Sequence, residues 1–418
     1  MTSFPASPAA GDRVVGGGDL VVHGGEVLTP EGRQHADLVI DGGWIAEVRP
    51  RSVPAEEQGS DRTLDAAGLV VVPGFVDLQC NGGAGIDLTA EPERLWELAA
   101  VLPRWGVTAW LPTIVTSPED IRRRALEVIA AEPPPGSGVR ATPLGLHLEG
   151  PFLAGDRRGA HAAAHLREPD PALIAGWTRK AGVALVTLAP ELPGALDLVP
   201  LLAAEGVVVA LGHSSATAAQ ATAAVDLGAR AVTHLFSAMA PLHHRAPGLV
   251  GVALTDERLT VGLIADGIHV DPVVVDLATR ALGSRLALVT DAVAALGGPP
   301  VTSAPPGRPG VPVQLGDVEA IAHDGAVRLS DGTLAGSLLS LDRAVANLMA
   351  FAGVGLERAV AAAATTPARL LGLADERGVV RPGAAGDVVL LDVTAAGPEV
   401  VATVVAGQVA FDRRVAAP

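Results

Sequence analysis

Short apolar runs alternate with Ala-rich stretches of helical spacing along most of the chain. This alternation begins near residue 69 and is typical of parallel β-α-β units. We predict eight barrel strands, at residues 69–79, 107–115, 142–149, 183–189, 207–213, 231–236, 260–265 and 286–291. Eight parallel strands separated by helices close into a barrel whose functional side chains lie at the carboxyl ends of the strands.

The two ends of the chain share another pattern, in which short β-rich runs are separated by turns. Residues 20–22, 36–40 and a run ending at Val48 predict strands near one end, and residues 388–392 and 400–411 predict strands near the other. We therefore expect an α/β protein, a (β/α)8 TIM-like barrel with a small β-sandwich domain formed by both termini. The expected division is residues 1–72 (of which 1–18 form a flexible tail) and 376–418 for the β domain, and residues 73–375 for the barrel.

Further along, the Pro- and Gly-rich residues 297–312 interrupt the alternation, and the sequence assigns them no role. Residues 313–329 predict a hairpin beside the barrel mouth. Residues 344–364 and 367–371 predict helices that lead back to the β domain.

Composition narrows the class of protein. Apolar residues make up 49% of the chain and the net charge is -16, which argues against a nucleic-acid or anionic-membrane partner. Mean hydropathy is +0.38, yet charge, Gly or Pro interrupts each apolar stretch before a membrane span of about twenty residues is reached. The single cysteine, Cys80, excludes an intramolecular disulfide and favours a cytoplasmic protein.

Three of the predicted strands end in residues that can bind a metal. Glu149 ends the third strand, His213 the fifth and His234 the sixth. Two imidazoles and a carboxylate with one open position make up a catalytic zinc site, in which the metal activates water. An isolated histidine is more often structural, but three such residues at one end of a barrel favour a metal site. His147 is a spare candidate ligand, with a packed role beneath the site as the alternative.

The eighth strand ends in an acidic residue, Asp291, after an apolar run. A buried carboxylate is costly without a partner, and a metal or its water would supply one. Asp291 is then suited to take a proton from the water and pass it to a leaving amine. The alternative is that Asp291 caps a helix over residues 292–296.

A family resemblance rests on seven segments, which are PGFVDLQCNGG, GLHLEGPFL, GHSSAT, THLFSAMAPLHHRAPGLVG, ADGIHV, TDAVAA and DGTLAGS. In this order, from about residue 72 to residue 392, they resemble the N-acetylglucosamine-6-phosphate deacetylases of the amidohydrolase superfamily. The resemblance implies that the metal ligands are Glu149, His213 and His234, and that the catalytic residue is Asp291. Many amidohydrolases carry a His-x-His pair on the first strand, where this chain has Gln79 and Asn81. The resemblance therefore implies one divalent metal per subunit, with zinc expected and iron, manganese or cobalt as alternatives.

The same resemblance implies the substrate contacts. It places His161 and His269 around the sugar, with the backbone amides of Ser237 and Ala238 near the phosphate. Arg245 would reach the phosphate in the neighbouring subunit, which implies a homodimer. The forked guanidinium suits a phosphate, and the alternative is a solvated loop arginine.

The implied reaction is hydrolysis of N-acetyl-D-glucosamine 6-phosphate to D-glucosamine 6-phosphate and acetate. Ser237 departs from the family, which usually has Asn at this position, so the preferred hexosamine stays open. The alternatives are N-acetylgalactosamine 6-phosphate, another N-acyl compound, or a non-catalytic amidohydrolase-like scaffold.

Overall fold

A computed structural model gives the fold of the chain. The structure describes residues 20–50, 62–131, 133–134, 136, 138–298 and 310–415. The predicted tail at residues 1–18 and most of the Pro- and Gly-rich segment lie outside these described residues.

The strands follow one another along the chain from β1 to β22. They are β1 (Leu20–Thr29), β2 (Gly32–Asp41), β3 (Trp44–Pro50), β4 (Thr63–Asp65), β5 (Val70–Pro73), β6 (Phe75–Cys80), β7 (Gly82–Gly83), β8 (Ile86–Asp87), β9 (Val107–Val115), β10 (Thr142–Pro143), β11 (Leu146–Glu149), β12 (Val183–Leu188), β13 (Val208–Leu211), β14 (Ala231–Val232), β15 (Thr260–Leu263), β16 (Leu286–Leu288), β17 (Val311–Leu315), β18 (Val318–His323), β19 (Ala326–Arg328), β20 (Val388–Thr394), β21 (Gly397–Val405) and β22 (Gln408–Asp412).

The helices lie mainly between the barrel strands. They are α1 (Leu95–Val101), α2 (Glu119–Ala130), α3 (Ala195–Ala204), α4 (Ala218–Leu227), α5 (Gly248–Thr255), α6 (Pro272–Leu282), α7 (Leu341–Ala352), α8 (Leu356–Ala363) and α9 (Thr365–Leu370). Capping residues determine where two of these helices begin. A capping box of Thr217 and Gln220 begins α4, and Asp271 followed by Pro272 begins α6.

A parallel barrel forms the centre of the molecule. Its strands run in the order β6-β9-β11-β12-β13-β14-β15-β16, with β10 pairing the start of β9. A bridge between Cys80 and Ala292 brings the last strand back to the first. All residues of β9 are buried, as expected for a parallel strand covered on both faces. The predicted barrel class is confirmed.

Both ends of the chain build a second sheet, as predicted. Its strands lie in the order β22-β21-β20-β5-β1-β2-β3, and β4 pairs with β1. Its own core packs Val22, Ile40, Val388 and Val404 together. Strand β5 belongs to this sheet, so the prediction of one barrel strand over residues 69–79 was wrong in its first half. The break falls at Gly74, where a Cβ would lie 2.1 Å from Oγ1 of Thr108.

The predicted hairpin over residues 313–329 is confirmed as the antiparallel sheet β17-β18-β19. The single helix predicted over residues 344–364 is instead two, α7 and α8. Gly353 ends α7 in the left-handed conformation, with φ of 62°, and the chain changes direction there. In the described part of the chain, no helix combines the length and apolar character that crossing a bilayer requires.

Candidate active site

The predicted metal ligands meet at the carboxyl end of the barrel. Glu149 is the last residue of β11, His213 lies two residues after β13, and His234 lies two residues after β14. All three side chains are buried. His213 and His234 have φ of 48° and 28°, a region that non-glycine residues rarely adopt. The chain therefore leaves β13 and β14 by constrained turns, each of which directs a histidine side chain into the barrel mouth.

The ligand atoms of these three residues converge on one point. Oε1 of Glu149 lies 3.1 Å from Nε2 of His213 and 2.9 Å from Nε2 of His234, and the two Nε2 atoms are 3.1 Å apart. Nδ1 of His213 lies 2.9 Å from the carbonyl oxygen of Arg157, which only accepts hydrogen bonds. Nδ1 therefore carries the proton, and in the neutral ring Nε2 offers a lone pair to the same point as Glu149.

This donor set fits a divalent cation. Among the described residues, Glu149, His213 and His234 are the one group of three or more His, Cys, Asp or Glu side chains close enough to share a metal. Burial alone would raise the pKa of Glu149, but the close contacts with the imidazoles of His213 and His234 outweigh it and hold the pKa well below its usual value. The carboxylate is thus ionised and ready to bind a cation.

Asp291 lies beside the three ligand residues. It follows β16 by three residues, with φ of 49°. Its Oδ1 accepts hydrogen bonds from Nδ2 of Asn81 at 2.6 Å and from Nε2 of Gln79 at 3.1 Å. Burial, and then the negative charge of Glu149, raise the pKa of Asp291 to about 6. A cation bound by the neighbouring Glu149, His213 and His234 would favour the ionised form of this carboxyl group, which is the form that can act as a general base.

The alternative role of Asp291 as a helix cap is wrong. Ala292 forms β-bridges with Cys80 and Ser337, and residues 294–297 form turns, so no helix follows Asp291. The backbone of Asp291 instead forms hydrogen bonds with two other segments of the chain. Its N–H donates to the carbonyl oxygen of Gln79, and its carbonyl oxygen accepts from the N–H of Ser337.

Gln79 links the two carboxylates of the site. Its Nε2 donates to Oε1 of Glu149 at 3.0 Å as well as to Asp291. Gln79 and Asn81 thus act as hydrogen-bond donors to the carboxylates. They occupy the two positions at which the sequence comparison predicts metal-binding histidines in many other amidohydrolases.

A cavity of about 490 Å³ opens above these residues. Its walls include the predicted residues Asn81, Glu149, His161, His213, His234, Ser237, Ala238, His269 and Asp291. The structure therefore brings nearly all of the predicted site together. The cavity is also lined by Arg157 and Arg158, which the sequence did not single out.

His161 lies at the edge of the ligand group. Its Nε2 is 3.7 Å from Oε2 of Glu149, and its Nδ1 is 2.9 Å from Oγ1 of Thr116. Burial, together with the neighbouring His213, lowers the pKa of His161 to about 3. Its ring is therefore neutral at physiological pH.

Three further residues lie away from this cavity. Arg245 is exposed, with Nη1 2.6 Å from Nε2 of His244, and does not line the cavity of its own chain. His147 is buried beneath the site, 2.8 Å from Oγ1 of Thr187 through Nε2, and burial lowers its pKa to about 4. Cys80 is buried and unpaired.

The fold and the site together define the class of protein. A barrel with Glu, His, His and Asp at its carboxyl end is a scaffold for metal-assisted hydrolysis. The model of the amidohydrolase family matches residues 70–410. The chain therefore belongs to the amidohydrolase family and, within it, to the group of N-acetylglucosamine-6-phosphate deacetylases, as the following relatives show.

An N-acetylglucosamine-6-phosphate deacetylase of Bos taurus is 40% identical over 373 residues, which cover 85% of this chain and 87% of the relative. An N-acetylgalactosamine-6-phosphate deacetylase of Escherichia coli O157:H7 is 39% identical over 372 residues, covering 88% and 93%. The solved structure of a mutant N-acetyl-D-glucosamine-6-phosphate deacetylase from Mycobacterium smegmatis, in complex with N-acetyl-D-glucosamine-6-phosphate, matches with a TM-score of 0.82 at 33% identity. The match covers 94% of this chain and 100% of that one. The predicted family is confirmed.

Proposed function

We propose that the chain hydrolyses the acetamide of N-acetyl-D-glucosamine 6-phosphate, releasing acetate and D-glucosamine 6-phosphate. The observation that carries the proposal is the convergence of Glu149, His213 and His234 on one point beside Asp291, within a cavity large enough for a sugar phosphate. The names of the relatives support the choice of substrate.

Glu149, His213 and His234 would hold one divalent metal, for which we propose zinc. A metal held there would supply Lewis-acid activation of water and of a carbonyl group. We assign Asp291 as the base that takes a proton from the attacking water. The water oxygen bonds to the acetyl carbon, the C–N bond breaks, and the departing nitrogen receives the proton that Asp291 carries.

Other residues would bind the substrate. His161 and His269 line the cavity and offer polar contacts to the acetyl group and the sugar. The backbone amides of Ser237 and Ala238 would contact the phosphate. We also propose a homodimer in which Arg245, exposed on its own chain, reaches the phosphate in the partner's cavity. The buried free Cys80 is consistent with a reducing, cytoplasmic setting.

A second candidate substrate is N-acetylgalactosamine 6-phosphate. Two observations favour it, namely Ser237 in the cavity wall and the Escherichia coli relative of nearly equal identity. Ser237 is shorter than the Asn expected at this position, which changes the polar contacts available to the hexose.

A substrate panel tests the proposal. Acetate release is measured for N-acetylglucosamine 6-phosphate, N-acetylgalactosamine 6-phosphate and the two unphosphorylated sugars. We expect the highest kcat/KM for N-acetylglucosamine 6-phosphate and far lower values without the phosphate. A preference for the galactose epimer would support the second candidate, and equal rates with and without phosphate would contradict the Arg245 assignment.

A further inference from the structure

The segment between β15 and α6 contains a carboxylate and an imidazole in direct contact. Oδ2 of Asp266 lies 2.7 Å from Nδ1 of His269, and the two side chains are only 10% and 5% exposed. His269 lines the active-site cavity, whereas Asp266 does not. The imidazole therefore connects the carboxylate to the cavity.

The other oxygen of the same carboxylate fixes the backbone of this segment. Oδ1 of Asp266 accepts from the N–H groups of Ile268 and His269, both at 2.8 Å. Gly267 makes the turn possible, since its φ is +78° and an added Cβ would lie 3.2 Å from the ring of Phe351. One side chain thus sets both the backbone turn and the orientation of the ring.

The charge of Asp266 determines which ring nitrogen carries a proton. Burial would raise its pKa, but the hydrogen bond and the charge of His269, together with the two backbone N–H groups, outweigh burial and lower the pKa. An ionised carboxylate only accepts hydrogen bonds, so Nδ1 of His269 must be the donor. Nε2 is then the nitrogen left for the cavity, and in the neutral ring it is an acceptor.

We propose that Asp266 is the positioning residue of His269, holding its Nδ1–H so that Nε2 accepts a hydrogen bond from a hydroxyl group of the substrate. This inference rests on the proposed function for the identity of the substrate. The tautomer itself is independent of that function, because the groups that fix it are all within the chain.

The substitution Asp266→Asn separates the two roles of the carboxylate. The amide oxygen of Asn can still accept from both backbone N–H groups, so the turn is kept. The amide nitrogen replaces Oδ2 and can only donate, so it favours a ring with the proton on Nε2 instead. Asp271→Asn is the matched control, because Asp271 caps α6 by accepting from Val273 N, which Asn also does.

Ring-labelled histidine NMR of the zinc-loaded protein reads the tautomer directly, with the His269 signals assigned by their loss in His269→Gln. At a pH where the ring is neutral, we expect Nδ1 protonated in the wild type and in Asp271→Asn, and Nε2 protonated in Asp266→Asn. A wild-type ring protonated on Nε2 overturns the proposal. Because this result needs no variant, the proposal can be tested even if Asp266→Asn folds poorly.

Kinetics supply the second arm. We expect Asp266→Asn to raise KM for N-acetylglucosamine 6-phosphate roughly three- to tenfold, as the loss of one hydrogen bond implies, with a smaller change in kcat. An unchanged KM in a variant whose tautomer has switched overturns the role in binding. Failure of the wild type to release acetate from any sugar phosphate would contradict the proposed function while leaving the NMR result to decide the tautomer.

Discussion

Replacing Asp291 by Asn probes the proposed base while disturbing little else. Oδ1 of Asp291 accepts from Gln79 and Asn81, and the amide oxygen of Asn can keep both hydrogen bonds. The substitution therefore removes the charge and the proton-accepting oxygen, and leaves the ligands Glu149, His213 and His234 in place. General-base catalysis contributes about 10²- to 10⁴-fold to the rate, or about 3 to 5 kcal/mol of the barrier. We expect kcat to fall by that factor while the metal content stays the same.

The acid limb of the pH profile gives a second reading of the same residue. The pKa of Asp291 is raised to about 6, and only the ionised form can accept a proton. The kcat/KM of the wild type should therefore fall at acid pH as Asp291 becomes protonated. A cation held by Glu149, His213 and His234 favours the ionised form, so this acid limb should lie at or below about pH 6. In Asp291→Asn this limb should disappear.

The assay is acetate release by metal-loaded protein, with metal content measured for each variant. Asp324→Asn is the matched control, since Asp324 has φ of 50°, close to that of Asp291, but lies in an exposed turn between β18 and β19. A kcat within about threefold of the wild type in Asp291→Asn would refute the reasoning, because a base of this kind contributes at least about a hundredfold.

Three other predictions follow from the structure. Arg245→Ala should raise KM roughly 10- to 100-fold for the phosphorylated sugar and leave the unphosphorylated sugar unaffected, because hydrogen bonds to a charged group contribute about 1.5–3 kcal/mol; equal effects on both sugars would exclude a phosphate contact. Ser237→Asn should shift the ratio of kcat/KM between the two epimeric sugar phosphates, and an unchanged ratio would remove Ser237 from specificity. Burial raises the pKa of Asp77 from 3.8 to about 7, so its folded pKa exceeds the unfolded one and its ionisation destabilises the protein as pH rises through this window. In unfolding measurements, the free energy of unfolding of Asp77→Asn relative to wild type should therefore increase by about 3 kcal/mol from about pH 5 to about pH 8. A difference that stays constant over this range would contradict the raised pKa of Asp77.

The sequence predicted the barrel and the residues that converge in it because both depend on burial patterns. Apolar runs identify buried strands, and a polar residue at the end of such a run is conspicuous. The strand ends were less accurate, since Asp291 lies three residues after the last hydrogen-bonded residue of β16. Hydrophobicity indicates burial, and the left-handed turns that follow these strands are buried too. The apolar pattern therefore cannot show where the strand ends and the turn begins.

Contacts made by backbone atoms, or between distant residues, could not be predicted. The carbonyl of Arg157 that orients His213 has no sequence signature, since any residue carries the same group. Thr116, which contacts His161, comes from another strand connection. Asp266 stood in a recognised segment, but its pairing with His269 depends on a turn at Gly267 that spacing alone did not reveal.

The most direct test of the account is acetate release from N-acetylglucosamine 6-phosphate after chelation and readdition of defined metals. Glu149, His213 and His234 supply a ligand set for one ion. We predict that the chelated protein is inactive, and that one equivalent of zinc per chain restores acetate release in the wild type but not in His213→Asn. Full activity of the metal-free protein, or no acetate release with any metal, would contradict the central claim.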